Sequence, residues 1–224
     1  MIADELCLMA HDEHSGRPKV HPDTLGLALA GALLAELVLT PFLVHPPGAL
    51  PFTKYLTVRE GLVGIVAGPP AAPFDALQHW VFETVAAERR PLHVDTWLRL
   101  FARDSAQRVV ERLIRHGLAV PVGERRALAR LRKEPGPCQP ADPSWAAFLA
   151  VRLRGSLNDP SRITLPEVAL TGLIAATELI HNVVLWEGEK VPAHVHDLLR
   201  RLPRPLQELI AHTQATLATV VLAR

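Results

Sequence analysis

Apolar residues in this chain gather into long runs broken by proline- and glycine-rich stretches, a pattern of buried helices more than of alternating strands. The run Leu25–Leu39 carries one charge, Glu36, and is apolar on nearly every face. It predicts a central helix capped by Asp23 or Thr24 and stopped by Pro41. A short helix, Ala3–Ala10, precedes it, joined by a polar loop, His11–Pro22, with a turn at Ser15-Gly16-Arg17-Pro18. Pro46-Pro47-Gly48 marks a turn, and Tyr55–Val58 and Leu62–Val66 read as short strands around Arg59-Glu60-Gly61. After a rigid Pro69–Pro73 connector, helical patterns cover Phe74–Arg89, Val94–Ala102 and, with Asp104 as cap, Ser105–His116. Gly117 ends the last of these in a left-handed cap. Leu118–Val122 reads as a strand, Gly123–Arg126 as a turn, and Glu134–Pro143, with four prolines, as a loop or exposed projection. Helices resume over Ser144–Leu157, Leu165–Trp186, Ala193–Arg201 and Pro205–Ala223, with Pro166 in a first turn, where no backbone donor is needed. The expected fold is mostly α: a single compact domain over residues 1–224, with a central apolar helix surrounded by helices and a few short β-hairpins.

Composition supports this picture. At 224 residues and 49% hydrophobic, the chain can bury a core without disulfides or a structural metal. Near-balance of 24 basic and 23 acidic residues excludes a strongly basic nucleic-acid coater as the default. Cys7 and Cys138, far apart in sequence, point neither to a disulfide framework nor to a cysteine zinc site, and a reducing cytoplasm is the expected compartment. Met1-Ile2-Ala3-Asp4-Glu5 is acidic where a secretory signal would be basic. Leu25–Leu39 is short for a bilayer span, and Thr164–Trp186 carries Glu167, Glu178, His181 and Asn182, so both read as core helices.

Three polar groups carry residue types that can ligate a metal. His11-Asp12-Glu13-His14 beside a turn reads as a solvated loop. Glu178-x-x-His181 has the spacing of half a carboxylate-bridged di-iron site, but has no second copy. His194-x-His196-Asp197 falls at a helix start and reads as capping or surface. No nucleophile elbow, Walker loop or dinucleotide fingerprint is present, so no enzyme, metal or cofactor is expected. Arginines are more informative: Arg99, Arg103, Arg108, Arg112 and Arg115 lie on consecutive helical segments, followed by Arg125, Arg126, Arg130, Arg132 and Lys133. Arg108, Arg112 and Arg115, at i+4 and i+3, form a candidate stripe, and the planar guanidinium suits phosphate. Ser105–Val122 with Gly123–Arg126 also has the order of a winged helix, an alternative DNA-binding reading that the near-zero net charge disfavours.

The motif order resembles the Golgi phosphoprotein 3 family, in its shorter bacterial members. The opening Ile2–Ala10 is similar to that family's acidic-apolar first helix, and Leu27–Leu37 to its central helix ending in Glu-Leu. Arg108–Gly117 followed by Leu118-Ala119-Val120 resembles its Arg-rich helix, and Asn158-Asp159-Pro160 with Arg162 its Asn-Asp-Pro-x-Arg junction. An apolar helix through Ala175-Ala176 and Leu179 follows in the same order, so the resemblance spans nearly the whole chain. It implies a helical peripheral membrane protein that reads phosphatidylinositol 4-phosphate and, in eukaryotic members, ties Golgi membranes to glycosyltransferase tails. The family's lipid pocket uses a tryptophan, a central-helix arginine and two basic residues three apart. These positions fall on His21, Ala30, Arg103 and Ala106, so Arg103 alone is kept. The family's protruding hairpin corresponds to Glu134–Ser144, proline-rich here, with Trp145 at its base.

The leading expectation is a cytoplasmic, peripherally membrane-associated adaptor without enzymatic activity. Arg103 and Arg108 would contact phosphate, Arg17, Lys19 and His21 would rebuild a basic rim, and Trp145 would sit at the membrane interface. Its partners would be an anionic headgroup such as phosphatidylinositol 4-phosphate, a protein tail and a second copy of the chain, with no nucleic acid. The substitutions at His21, Ala30 and Ala106 motivate the second reading, a soluble interaction or regulatory module without lipid binding.

Overall fold

Helix α2 (Pro22–Leu39) is the axis around which the other elements pack, and every residue from Thr24 to Leu39 is buried. The computed structural model describes residues 1–42, 54–67, 75–122, 138–159, 161–177, 179–180 and 190–222. Among these, eight helices and five short strands form. By length and composition, the segment Pro22–Phe42 could cross a membrane, but 89% of its apolar window is buried inside the fold, the state of a core helix.

Helix α1 (Ile2–Ala10) packs on α2, and the chain returns through an antiparallel bridge between His11 and Pro18. Strands β1 (Lys54–Arg59) and β2 (Leu62–Ala67) pair antiparallel, with Arg59 opposite Leu62. The two-residue connection has positive φ at both Glu60 and Gly61, which matches the right-handed twist of the flanking strands. A third strand, β3 (Leu92–His93), adds to β2 and was not foreseen. Helix α3 (Ala76–Ala86) starts at a capping box between Asp75 and Gln78.

Helix α4 (Val94–Arg115) is one continuous helix, where the sequence pattern had predicted two separated at Asp104. No glycine or proline interrupts Arg103-Asp104-Ser105, and the Ser105 hydroxyl donates back to the Phe101 carbonyl at 2.7 Å instead of starting a new helix. The expected left-handed cap is present: Gly117 has φ +70°, and Leu118 N–H donates to the Leu113 carbonyl at 2.9 Å. Strand β4 (Ala119–Pro121) pairs antiparallel with β5 (Cys138–Pro140). Part of the stretch expected as a loop is therefore a strand.

The remaining helices are α5 (Ser144–Asn158), α6 (Leu165–Ala176), α7 (Lys190–Leu199) and α8 (Arg204–Leu222). Thr164 and Glu167 form a capping box at the start of α6, and Pro166 lies in its first turn as expected. Helix α6 ends at Ala176 with Thr177 as its C-cap, and most of the predicted stretch from there to Trp186 lies outside the described residues. Arg152 on α5 ties α1 to α6 through Glu5 at 2.5 Å and Glu167 at 3.5 Å. Several sequence-based expectations lie outside the described residues: the turns at Pro46–Gly48 and Gly123–Arg126, the Pro69–Pro73 connector, the second basic group from Arg125 to Lys133, Glu178-x-x-His181, and Pro160 of the junction motif.

Candidate functional site

The pairing of α2 with α4 positions the candidate residues. A Cβ on Gly26 would lie 2.5 Å from the Ala102 carbonyl oxygen, so glycine lets the two helices touch there. Ten residues on, Glu36 meets Arg112 at 3.5 Å. Both pairs have the same offset, 76 residues, so α2 and α4 run parallel and in register. Arg103 is then level with Leu27, about 9 Å along the axis from His21 at 1.5 Å per residue. Arg99 comes level with Asp23, at the start of α2.

His21, Arg17, Lys19, Arg99 and Arg103 are all exposed. His21 caps α2, accepting from Asp23 N–H at Nδ1 (3.3 Å). The helix's first turn contributes partial positive charge nearby. The other two family positions, Ala30 and Ala106, are buried, so neither offers a polar group to a ligand. Arg103 and Arg108, both exposed, do not converge: five residues apart, they point about 140° apart around α4. Arg108 instead stacks over the Trp80 ring of α3 at 4.1 Å, and Trp80 packs edge-on against Phe101.

The expected Arg108–Arg112–Arg115 stripe does not exist. Arg112 is 1% exposed and donates to Asp4 (2.8 Å), Asp75 (2.9 Å) and Glu36 (3.5 Å). Burial lowers its pKa, but the three carboxylates more than reverse this and hold the guanidinium charged. Glu36 also accepts from Ala3 N–H at 2.9 Å, which caps α1, and from Gln78 of α3 at 3.2 Å. Burial pushes the Glu36 carboxyl up despite Arg112. This cluster joins four helices and is structural. The same packing buries Val109, Arg112 and Leu113 of the segment read as a DNA-recognition helix.

Trp145, in the first turn of α5, is 40% exposed and meets Phe148 edge-on at 6.0 Å. Phe148 and Val151 are more exposed still, at 56% and 63%, and sequence reading missed both. Their i, i+3, i+6 spacing from Trp145 was the available signal.

The His11–His14 loop also differs from expectation. Asp12 accepts from Ser15 N–H and hydroxyl and from His14 N–H, and these bonds hold its carboxyl below the ordinary range. His11 is 1% exposed, its Nδ1 2.7 Å from the Cys7 carbonyl and 3.8 Å from the Cys7 sulfur. No group of three or more metal-ligating side chains suited to an ion occurs among the described residues. His194, expected at a helix start, lies inside α7, with Nε2 3.1 Å from the Leu157 carbonyl. A shallow cleft between the β1–β2 turn and α8 is lined by Arg59, Glu60, Arg204 and Glu208. Arg204 pairs with Glu208 there at 3.1 Å, and none of the predicted site residues reaches it.

Compared with known families, residues 2–219 match the family model described as Golgi phosphoprotein 3 (GPP34). None of the curated proteins compared matches the chain.

Proposed function

Because this chain belongs to the Golgi phosphoprotein 3 family, we propose that it is a peripheral membrane adaptor that binds anionic lipid headgroups, phosphatidylinositol 4-phosphate among them. One observation carries the reading: the parallel register of α2 and α4 brings Arg99 level with the start of α2 and Arg103 one turn further in, level with Leu27, with His21, Lys19 and Arg17 leading in. Arg103 is the principal phosphate contact. Arg99 takes the supporting role that the family gives to a position held here by the buried Ala106. Arg108, held over Trp80, adds surface charge from the flank of α4. Each basic residue near an anionic bilayer contributes on the order of 1 kcal/mol, so the group acts together.

Trp145 and Phe148 form the interfacial contact, since aromatic side chains half out of water lower their free energy at the headgroup boundary. A bound protein tail or second copy completes the adaptor role at the cytoplasmic membrane face. Vesicle co-sedimentation at two salt concentrations tests the proposal. Native protein should bind anionic vesicles, bind neutral ones poorly, and lose most binding in Arg103→Ala. Absence of binding to every vesicle would leave the soluble interaction module as the better reading.

A further inference from the structure

Helix α5 is apolar on two sides. Its inner face packs Ala146, Leu149, Leu153 and Leu157 into the core. A surface helix ordinarily carries polar groups opposite such a stripe. Here Trp145, Phe148 and Val151 stand outward instead, each at least 40% exposed. At about 100° per residue the three span roughly 120° of the helix surface. Single apolar residues scattered over a surface need no explanation, but three large ones on adjacent turns form a patch. The only charged residues of α5 are Arg152 and Arg154, with no Asp or Glu among them. Arg152 follows Phe148 by four positions and Arg154 follows Val151 by three, so the two arginines flank the apolar strip, one on either side. Arg152 is engaged inside the fold by Glu5 and Glu167. Arg154 has no ion pair among the described residues, and its Nε is enclosed without a hydrogen bond.

We propose that α5 is a membrane-surface helix: it lies in the plane of an anionic phospholipid bilayer, with Phe148 and Val151 at the acyl boundary and Arg154 on lipid phosphate. This rests on the membrane association proposed above, and it adds a seat separate from the headgroup site of α2 and α4. The 15 residues of α5 span about 22 Å, long enough for two turns of apolar side chains to enter one leaflet side by side. Trp145 in the first turn suits the headgroup level, where one end of its ring system is apolar and the other wet. An arginine beside such a strip lays its stem along the apolar surface and sends its planar head to the phosphates.

Charge decides what covers this face. Pairing α5 with a second copy of itself would bring two uncompensated Arg154 side chains into one interface, with no α5 carboxylate to meet them. An anionic bilayer supplies the missing negative charge along the whole strip. The carboxylates at the two ends of the helix are already engaged. Asp142 accepts from Ser144 N–H at 2.9 Å and from its hydroxyl at 2.7 Å, and Asp159 pairs with Arg162 at 3.1 Å.

The test places an environment-sensitive fluorophore on full-length Phe148→Cys and, separately, on Gly155→Cys, with the native chain treated in the same way as the blank. The Phe148 side chain is 56% exposed, and a Cβ on Gly155 meets nothing within 4 Å, so both positions accept the label without repacking. They lie about 10 Å apart along the axis. With phosphatidylserine–phosphatidylcholine vesicles both labels should shift to the blue and be quenched to a similar depth by brominated acyl chains, as an in-plane helix requires. Arg154→Gln should weaken binding to these vesicles about fivefold at low salt, the equivalent of one basic residue at the surface, and Arg154→Lys should keep most of it. Vesicle binding with both labels still in water would overturn the proposal and leave the headgroup site standing. A steep depth difference between the labels would overturn the in-plane seat, and unchanged binding in Arg154→Gln would overturn the phosphate contact. A dimer in vesicle-free solution that Val151→Ser dissociates would assign the face to a second copy and overturn the proposal. No binding to any vesicle would overturn this inference together with the membrane reading on which it rests.

Discussion

Glu36 of α2 and Arg112 of α4 lie 3.5 Å apart inside the fold, at the same 76-residue offset as the contact of Gly26 with Ala102. The ion pair and the glycine contact are two pins on one helix pair. Between them they fix where Arg103 stands relative to the start of α2.

Arg112 should be a stability residue, not a lipid contact. Replacing it with Met leaves Asp4 and Glu36 buried without their cation, a loss of about 3–5 kcal/mol by analogy with other broken buried pairs. Urea denaturation measures it. A change under about 0.5 kcal/mol would mean that Arg112 behaves as a solvated surface arginine.

Glu36 gives a pH signature with a defined sign. Its folded pKa is raised above the ordinary 4.5, so the folded state binds this proton more tightly than the unfolded state. The corresponding stability is fully present below 4.5 and is lost as pH rises through the raised folded value. Subtracting the stability–pH curve of Glu36→Gln from that of the native protein isolates the effect. The difference should decline with rising pH across that window; a difference that grows would reverse the assignment.

Gly26→Ala tests the register. The new Cβ would fall 2.5 Å from the Ala102 carbonyl oxygen, and the neighbour is backbone, so the helices must move apart. We expect a cost of about 1–3 kcal/mol, as for other overpacked contacts, and weaker vesicle binding in the fraction that remains folded. Thermal melting and co-sedimentation of the same preparation separate the two effects.

Trp145→Ser and Phe148→Ser should do the opposite. Both side chains are largely outside the core, so stability should change by less than about 0.5 kcal/mol. Binding to anionic vesicles should fall several-fold. Unchanged binding would remove α5 from the membrane contact.

Much of the fold was legible because its signals are local. Leu25–Leu39 is apolar on all sides and can be stable only in a core, and Gly117 follows an amphipathic pattern where a left-handed cap is required. The residue motifs and their order pointed to the family that the whole-chain match shows. What stayed hidden depends on packing between distant segments. Arg112 has the same spacing from Arg108 and Arg115 as a surface residue would, and only the approach of Asp4, Glu36 and Asp75 makes it internal. Asp104 looks like a cap in isolation, yet α4 continues through it because Phe101 and Ser105 are both core positions. Strand β5 pairs with β4 although it is built from a proline-rich stretch with no strand signature. The basic rim was half legible: the α2–α4 register brings Arg99 level with the start of α2 and Arg103 one turn further in, about 9 Å along the axis from His21, while Arg108 turns away to Trp80.

The most direct test of the central claim compares binding to vesicles containing phosphatidylinositol 4-phosphate with binding to phosphatidylserine vesicles of equal surface charge. Native protein, Arg99→Ala, Arg103→Ala and Arg108→Ala would be measured at two salt concentrations. The proposed site predicts tighter binding to the phosphoinositide, a preference abolished by Arg103→Ala, reduced by Arg99→Ala and kept by Arg108→Ala with a general loss of affinity. Equal binding to both vesicles, lowered to the same extent by all three substitutions, would contradict a headgroup site at the start of α2 and leave only diffuse charge attraction.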